Sequence, residues 1–182
     1  GIIIPDKGYL KNLKRICDSN QLFLMIDEVQ SGFCRTGKWF AFQHDEITPD
    51  VIMVAKALGN GVPIGACLAK NIASDILTPG THGSTFGGNF LSTTVGLKVV
   101  DIMQTLSIND NAKEMGDYFQ KELKEKIASK KTVKGIRSKG LMIGIELVNE
   151  CVNLAETALK SGLIINVTQD NIIRMLPPLI IT

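Results

Sequence analysis

Two apolar runs that each end in a charged residue do most to constrain the fold of this chain. Residues 22–28 have the sequence LFLMIDE, and residues 51–59 have the sequence VIMVAKALG. Runs of large aliphatic and β-branched residues of this length are typical of strands covered on both faces, which occur mostly in the parallel sheets of α/β proteins. Because such sheets bind ligands beyond the carboxyl ends of their strands, Asp27 and Lys56 are predicted to lie where chemistry takes place.

The remaining periodicities predict a mixed α/β fold in two domains. Asp6 is predicted to cap a helix over residues 8–19, and the short connection before residues 64–69 predicts an antiparallel third strand. We place the domain boundary at residue 107, so that residues 1–107 form part of a large mixed-sheet domain and residues 108–182 a smaller α+β domain. Further helices are predicted at residues 91–102, 111–129 and 154–159, and short strands at residues 133–137, 141–147, 163–166 and 172–175.

Charge and cysteine usage exclude several classes of function. The formal net charge is +2, with both signs scattered along the chain, so the sequence predicts no surface for nucleic acid or anionic membranes. The four cysteines lack C-x-x-C spacing and the two histidines are not near them in sequence, so no metal site is predicted. The low cysteine count and the lack of a long apolar stretch favour a cytoplasmic protein, and an organelle stays open because the start of the chain is unusual.

The combination of Asp27 and Lys56 indicates a particular cofactor. A lysine that loses its proton attacks carbonyl groups, and a carboxylate can keep a pyridine nitrogen protonated, so the pair suggests pyridoxal phosphate. An apolar strand ending in Asp27 also fits the Walker B element of ATPases, and residues 32–38 satisfy most of a P-loop pattern. That alternative fails because Trp39 stands where a magnesium-binding Ser or Thr is needed, and because the loop directly follows the Asp27 strand.

Three blocks of the sequence carry a resemblance to a known family. They are DEVQSGFCRTG at residues 27–37, PD at residues 49–50 and AKALGNGVPIG at residues 55–65. Together they resemble class III aminotransferases, which are fold-type I pyridoxal-phosphate enzymes, and the nearest likeness is to acetylornithine and ornithine aminotransferases. The resemblance extends over essentially the whole chain.

The resemblance implies a role for each matching position near the cofactor. Lys56 is the residue that bonds covalently to the cofactor and then moves the substrate proton. Asp27 is the partner of the pyridine nitrogen, where its negative charge keeps the ring protonated. Val29 presses on the face of the ring, and Gln30 reaches its phenolic oxygen.

Two further positions follow from the same resemblance. Thr85, in GSTFGGN at residues 83–89, donates to the phosphate of the cofactor held by the other subunit of a homodimer, and glycine-rich loops of this kind let backbone amides approach an anion. Arg174, in IRMLPPL at residues 173–179, clamps the α-carboxylate of the substrate, because its planar fork matches a carboxylate bidentately.

The implied reaction moves the terminal amino group of N-acetylornithine, or of a related ω-amino acid, to 2-oxoglutarate, giving a semialdehyde and glutamate in arginine biosynthesis. Ornithine, succinylornithine and 4-aminobutyrate aminotransferases share these motifs and stay open, as does a non-catalytic fragment with the same fold. The chain opens on Gly1 without a methionine. We expect it to be the C-terminal part of a longer enzyme whose N-terminal half supplies further site residues.

Several other conspicuous side chains are predicted to be structural. Period-2 alternation points Glu28 away from Asp27, which favours a salt bridge or a loop hydrogen bond for Glu28. Arg35 and Lys38 are predicted to lie on a solvated loop surface. The aromatic cluster at residues 39–42 is predicted to be a packing patch.

Overall fold

The computed structural model describes all 182 residues and divides them into two compact units. We call them the Lys56 unit and the Arg174 unit after the candidate residues they contain. The Lys56 unit consists of Asp6–Cys34 and Lys38–Ile108. The Arg174 unit consists of Gly1–Pro5, Arg35–Gly37 and Asn109–Thr182. The sequence-based division at residue 107 did not include Gly1–Pro5 and Arg35–Gly37 in the second unit. That division stays a prediction for the domains of the protein.

The Lys56 unit is built on a three-stranded mixed sheet in the order β1-β2-β3. Its strands are β1 at Met25–Asp27, β2 at Val51–Val54 and β3 at Ala66–Ala69. Strands β1 and β2 are parallel, and β3 is antiparallel to β2. Both predictions of strand direction are therefore confirmed.

The two apolar runs form shorter strands than predicted, and only one of them is well buried. Three of the four β2 residues are buried, whereas Met25 in β1 is 58% exposed. The expectation that both strands are covered on both faces is wrong for β1, because its side chains at Met25 and Asp27 are exposed and the one at Ile26 is half-buried. After β2 the chain turns at once into a 3-10 helix at Lys56–Leu58 instead of continuing as a strand.

Two α-helices accompany this sheet, α1 at Tyr9–Ser19 and α2 at Phe90–Thr105, both close to their predicted positions. The prediction that Asp6 caps α1 is wrong, because Gly8 occupies the N-cap position with a φ of 82°. The carboxylate of Asp45 instead accepts hydrogen bonds from the first-turn amides of α1, at 2.8 Å from Leu10 N and 3.3 Å from Lys11 N. A side chain from a distant turn thus supplies the cap that the local sequence lacks.

The Arg174 unit contains an antiparallel four-stranded sheet in the order β4-β5-β7-β6, with helices α3 and α4. Leu141 and Ile143 have no exposed surface, so the start of β5 lies in the core of this unit. The bounds of the elements are α3 at Ile108–Ile127, β4 at Val133–Lys139, β5 at Met142–Leu147, α4 at Leu154–Lys160, β6 at Asn166–Thr168 and β7 at Ile172–Met175.

One strand of this sheet begins later than predicted. The apolar residues at positions 163–166 predicted a strand, but β6 begins only at Asn166. Gly162 has a φ of 80° and ends α4, and the Leu163 N–H donates to the carbonyl of Ala158, so this part of the run belongs to the helix terminus. None of the helices in the structure combines the length and the apolar composition needed to span a bilayer.

Candidate active site

Asp27 and Lys56 lie at the carboxyl ends of neighbouring parallel strands. Asp27 is the last residue of β1 and pairs in register with Met53 of β2, and Lys56 follows two residues after the end of β2. Both residues are exposed, and neither takes part in a salt bridge of the structure. A carboxylate and an amine are therefore available to a ligand at the same end of this strand pair.

The orientation of Asp27 is set by the turn that follows β1. Its Oδ1 accepts a hydrogen bond from the Val29 backbone N–H at 2.8 Å, in the manner of an Asx turn. The next residue keeps the strand pairing, because the Glu28 N–H donates to the Met53 carbonyl at 2.8 Å. Val29 and Gln30, the other two predicted cofactor contacts of this segment, lie half-buried within the turn.

The backbone of Lys56 is strained. Its φ is 45°, which places a residue with a long side chain in the left-handed region that glycine usually occupies. The turn is closed by the Gly59 N–H, which donates to the Lys56 carbonyl at 3.0 Å. A Cβ on Gly59 would come within 2.0 Å of the Val62 carbonyl oxygen, so only glycine fits there. Strain of this kind clusters at functional sites, where the surrounding structure holds it in place.

Glu28 has the structural role that the alternation predicted. Its side chain is 1% exposed, and it accepts hydrogen bonds from the Ser31 hydroxyl at 2.6 Å and from the Phe42 backbone N–H at 3.0 Å. It thus ties the turn after β1 to the aromatic cluster further along the same loop.

The aromatic cluster itself is confirmed as a packing patch. Phe33 makes edge-on contacts with Trp39 and Phe40, and Phe40 stacks on Phe42 at a centroid distance of 5.6 Å. These ring contacts stabilise the loop that follows Gln30 in the sequence.

Thr85 lies in an exposed loop that leads into α2. Every residue from Gly80 to Asn89 is exposed, and the loop ends where the Asn89 side chain accepts a hydrogen bond from Ser92 N at 3.0 Å. The predicted glycine-rich loop is therefore present, with Thr85 open to solvent.

Arg174 belongs to the other unit. It lies in β7, paired in register with Gly144 of β5 and with Asn166 of β6. Its Nε is buried and has no hydrogen-bond partner. Buried donors of a guanidinium are normally satisfied, so this unsatisfied donor is a candidate for binding an acceptor.

The structure contradicts the prediction that Arg35 is solvated, while its neighbour Lys38 is exposed as predicted. The Arg35 guanidinium is half-buried and donates from Nη1 to the carbonyls of Leu141 at 3.1 Å and Pro177 at 2.6 Å. Burial lowers the pKa of the Arg35 guanidinium from its usual value. No local pattern predicts these bonds, because their acceptors are 106 and 142 residues away along the chain.

Comparison with known proteins gives a consistent result. The family "Aminotransferase class-III" matches residues 1–182. The acetylornithine aminotransferase of Nitrosomonas europaea is 47% identical over 98% of this chain and 46% of its own length. The ornithine aminotransferase of Staphylococcus epidermidis is 42% identical over the whole chain and again 46% of its own length. The chain therefore spans about half the length of the curated relatives that it matches.

Solved structures agree with the same assignment. The ornithine aminotransferase of Toxoplasma gondii matches with a TM-score of 0.96 and 35% identity, over 100% of this chain and 44% of that one. The acetylornithine aminotransferase of Elizabethkingia anophelis matches with a TM-score of 0.94 and 37% identity, over 100% of this chain and 47% of that one. A further structure of the Toxoplasma enzyme has partial occupancy of pyridoxal phosphate at its active site. The predicted fold class is confirmed, and the chain belongs to the class III aminotransferase family.

Proposed function

We propose that the protein carrying this chain is a pyridoxal-phosphate-dependent aminotransferase and that this chain supplies its lysine. The observation that carries the proposal is the placement of an exposed carboxylate, Asp27, and an exposed amine on a strained turn, Lys56, at the carboxyl ends of adjacent parallel strands. The family membership and the pyridoxal phosphate in a related structure support the same cofactor.

The residues at this end of the sheet fit the cofactor. Asp27 would hold the pyridine nitrogen in its protonated form, Val29 would lie against the ring, and Gln30 would donate to the phenolic oxygen. When bound, pyridoxal phosphate supplies a sink for the electrons released at the substrate carbon. Lys56 would hold the cofactor covalently at rest, and its Nζ would take the proton from the substrate and return it during transfer.

Arg174 supports a substrate that carries a carboxylate. Its buried Nε lacks an acceptor in the structure, and a carboxylate oxygen would satisfy that donor with a charge-assisted bond. We assign Arg174 to the α-carboxylate of the substrate.

We propose N-acetylornithine as the donor and 2-oxoglutarate as the acceptor, in arginine biosynthesis. Acetylornithine aminotransferases among the relatives at 45% to 47% identity support this choice, and the ornithine aminotransferase at 42% keeps ornithine as the second candidate. Succinylornithine and 4-aminobutyrate are further donors of the same class.

Kinetics of the whole protein on these four donors tests the assignment. We expect glutamate to form from 2-oxoglutarate, with the highest kcat/KM for N-acetylornithine, because the acetylornithine aminotransferases matched at 45% and 47% identity are more similar to this chain than the ornithine aminotransferase at 42%. The control is the same assay with the Lys56→Ala variant, which should form no glutamate. Glutamate production that survives in Lys56→Ala, or its absence with every donor, would refute the proposed function.

We also propose that the protein is a cytoplasmic homodimer in which Thr85 reaches the phosphate of the cofactor in the partner subunit. The exposure of the whole glycine-rich loop supports this, because the loop is open to a partner or a ligand. Sedimentation of the whole protein at the mass of one subunit, at the concentration used for the assay, would contradict the dimer.

A further inference from the structure

The Arg35 side chain joins two strand ends in the Arg174 unit. Its Nη1 donates to the carbonyl of Leu141, which precedes β5, and to the carbonyl of Pro177, which follows β7. These strands are antiparallel, with Ile143 opposite Met175. Leu141 lies two residues before Ile143 and Pro177 lies two residues after Met175, so the two would be opposite each other if the pairing continued. The guanidinium therefore bridges the two chains just past the end of their ladder.

The strand pair cannot extend itself over this position. Pro177 has no backbone N–H, so it cannot donate to β5, and its successor is Pro178, which has none either. Without Arg35, the carbonyls of Leu141 and Pro177 would both lose the donor that they share. The guanidinium supplies the donors that a normal ladder would provide at this point.

The backbone around Arg35 is seated closely in the same unit. The Leu141 N–H donates to the Arg35 carbonyl at 3.0 Å, so residues 35 and 141 are joined by both their backbones and a side chain. A Cβ on Gly140 would come within 2.4 Å of the Thr36 carbonyl carbon, which leaves room only for glycine. These backbone contacts therefore fix the point from which the Arg35 side chain extends.

Stability alone is a poor reason for this arrangement. Arg35 forms none of the salt bridges of the structure, and a half-buried cation whose acceptors are neutral carbonyls pays a desolvation cost that an apolar side chain would avoid. A role in positioning Arg174 is the better reason, because both bridged strand ends lie close to Arg174 along the paired strands. Arg174 precedes Pro177 by three residues and is opposite Gly144, which follows Leu141 by three.

We propose that Arg35 is a positioning residue for Arg174: by bridging the carbonyls of Leu141 and Pro177, it holds the ends of β5 and β7 so that the Arg174 guanidinium meets the substrate carboxylate. The inference rests on the carboxylate-binding role proposed above for Arg174. It predicts that loss of Arg35 harms substrates with that carboxylate and spares those without it.

The test is a comparison of two amino-group acceptors in the whole protein, because all the candidate donors share one acceptor. One acceptor is 2-oxoglutarate and the other is succinate semialdehyde, the aldehyde that remains when the α-carboxylate of 2-oxoglutarate is removed. Arg35→Met should lower kcat/KM for 2-oxoglutarate about 10-fold, mainly through KM, because a small misplacement of a binding group is costly. It should change the semialdehyde value by less than about twofold, and Arg35→Lys should fall between Met and wild type, because one amine can still reach a carbonyl. Lys38→Met, at an exposed basic residue of the same loop, is the matched control and should match wild type for both acceptors.

A binding measurement without cofactor gives an independent readout. Calorimetric titration of the cofactor-free protein with glutarate, a dicarboxylate that has no amine, should show weaker binding by about 10-fold in Arg35→Met and no change in Lys38→Met. If Arg35→Met does not fold, Arg35→Lys carries the same comparison, with an expected weakening of about threefold for glutarate.

The variant Arg174→Met separates the two levels of the argument. If Arg174→Met loses activity with 2-oxoglutarate selectively and Arg35→Met lowers the activity with both acceptors equally or with neither, the positioning role is refuted while the role of Arg174 stands. If Arg174→Met itself does not distinguish the two acceptors, the carboxylate assignment fails and the positioning role fails with it. Selective loss of activity with 2-oxoglutarate in both variants supports both.

Discussion

The Glu28 carboxylate directly follows a proposed cofactor-binding residue, yet its contacts tie it to the fold. It is 1% exposed and accepts one hydrogen bond from the Ser31 hydroxyl and one from the Phe42 backbone N–H. A buried acceptor with two donors aimed at it is expensive to change, because the donors lose their partners and gain no access to water. Asp27, one residue earlier, is exposed and accepts only a bond from its own turn among the hydrogen bonds described above.

The variant Glu28→Met should lower the free energy of unfolding by about 2 kcal/mol, because it leaves the Phe42 N–H and the Ser31 hydroxyl without the acceptor that both use. Urea unfolding of the protein, with Glu125→Met as a control at an exposed glutamate, measures the difference. Equal stability of Glu28→Met and the control would show that the two hydrogen bonds of Glu28 contribute little.

Local rules predicted some residues correctly and failed where a partner is distant in sequence. Strand alternation separated Glu28 from Asp27 because that rule depends only on neighbouring residues. Arg35 was predicted to be solvated, and the error has a clear cause, since both of its acceptors lie more than a hundred residues away. Asp6 failed as a helix cap for a related reason, because the carboxylate that caps α1 comes from Asp45.

At the scale of elements, Asp50 connects the start of β1 to α1. Its Oδ2 accepts a hydrogen bond from the Leu24 N–H at 2.9 Å and lies 3.3 Å from the Lys14 ammonium of α1. Burial works against the charged carboxylate, but the Leu24 N–H and the Lys14 ammonium outweigh it, so the pKa of Asp50 lies below its usual value. A carboxyl group with a lowered pKa stabilises the folded state when it is ionised.

The variant Asp50→Asn should therefore destabilise the protein by about 1 kcal/mol at pH 7, because it removes the charge from these two contacts. The difference from wild type should be complete above the unfolded-state pKa of about 3.9 and should disappear as the pH falls through the lower folded-state pKa of Asp50. Urea unfolding at a series of pH values measures this. Asp117→Asn is the control, since that carboxylate is 67% exposed in its ion pair. A loss of stability in Asp50→Asn that does not change with pH would contradict the account.

Helices and strand directions were predictable, whereas strand lengths were not. The periodicity of α1 and α2 is a property of their own sequences, and the short connection between β2 and β3 allows only antiparallel pairing. The apolar run around Met25 does not reveal that β1 has one neighbour and an open edge, since that depends on the rest of the sheet. The run at residues 163–166 was misassigned because a helix terminus uses its first residues.

At the scale of the whole molecule, several apolar faces are not covered by this chain. Phe90 and Leu97 of α2 are 91% and 66% exposed, although the apolar composition of that helix is typical of a buried one. Apolar patterning thus predicted burial that these 182 residues do not provide. The choice of donor is equally beyond the sequence motifs, because acetylornithine and ornithine enzymes match the chain over the same residues.

The most direct test of the central claim is to identify the lysine that pyridoxal phosphate modifies. The whole protein is loaded with the cofactor, reduced with borohydride, digested and mapped by mass spectrometry. The placement of Lys56 beside the Asp27 strand predicts a single major label on Lys56, which is retained in Lys38→Ala and absent in Lys56→Ala. A label spread evenly over surface lysines, or an undiminished label in Lys56→Ala, would contradict the claim that Asp27 and Lys56 form the cofactor site.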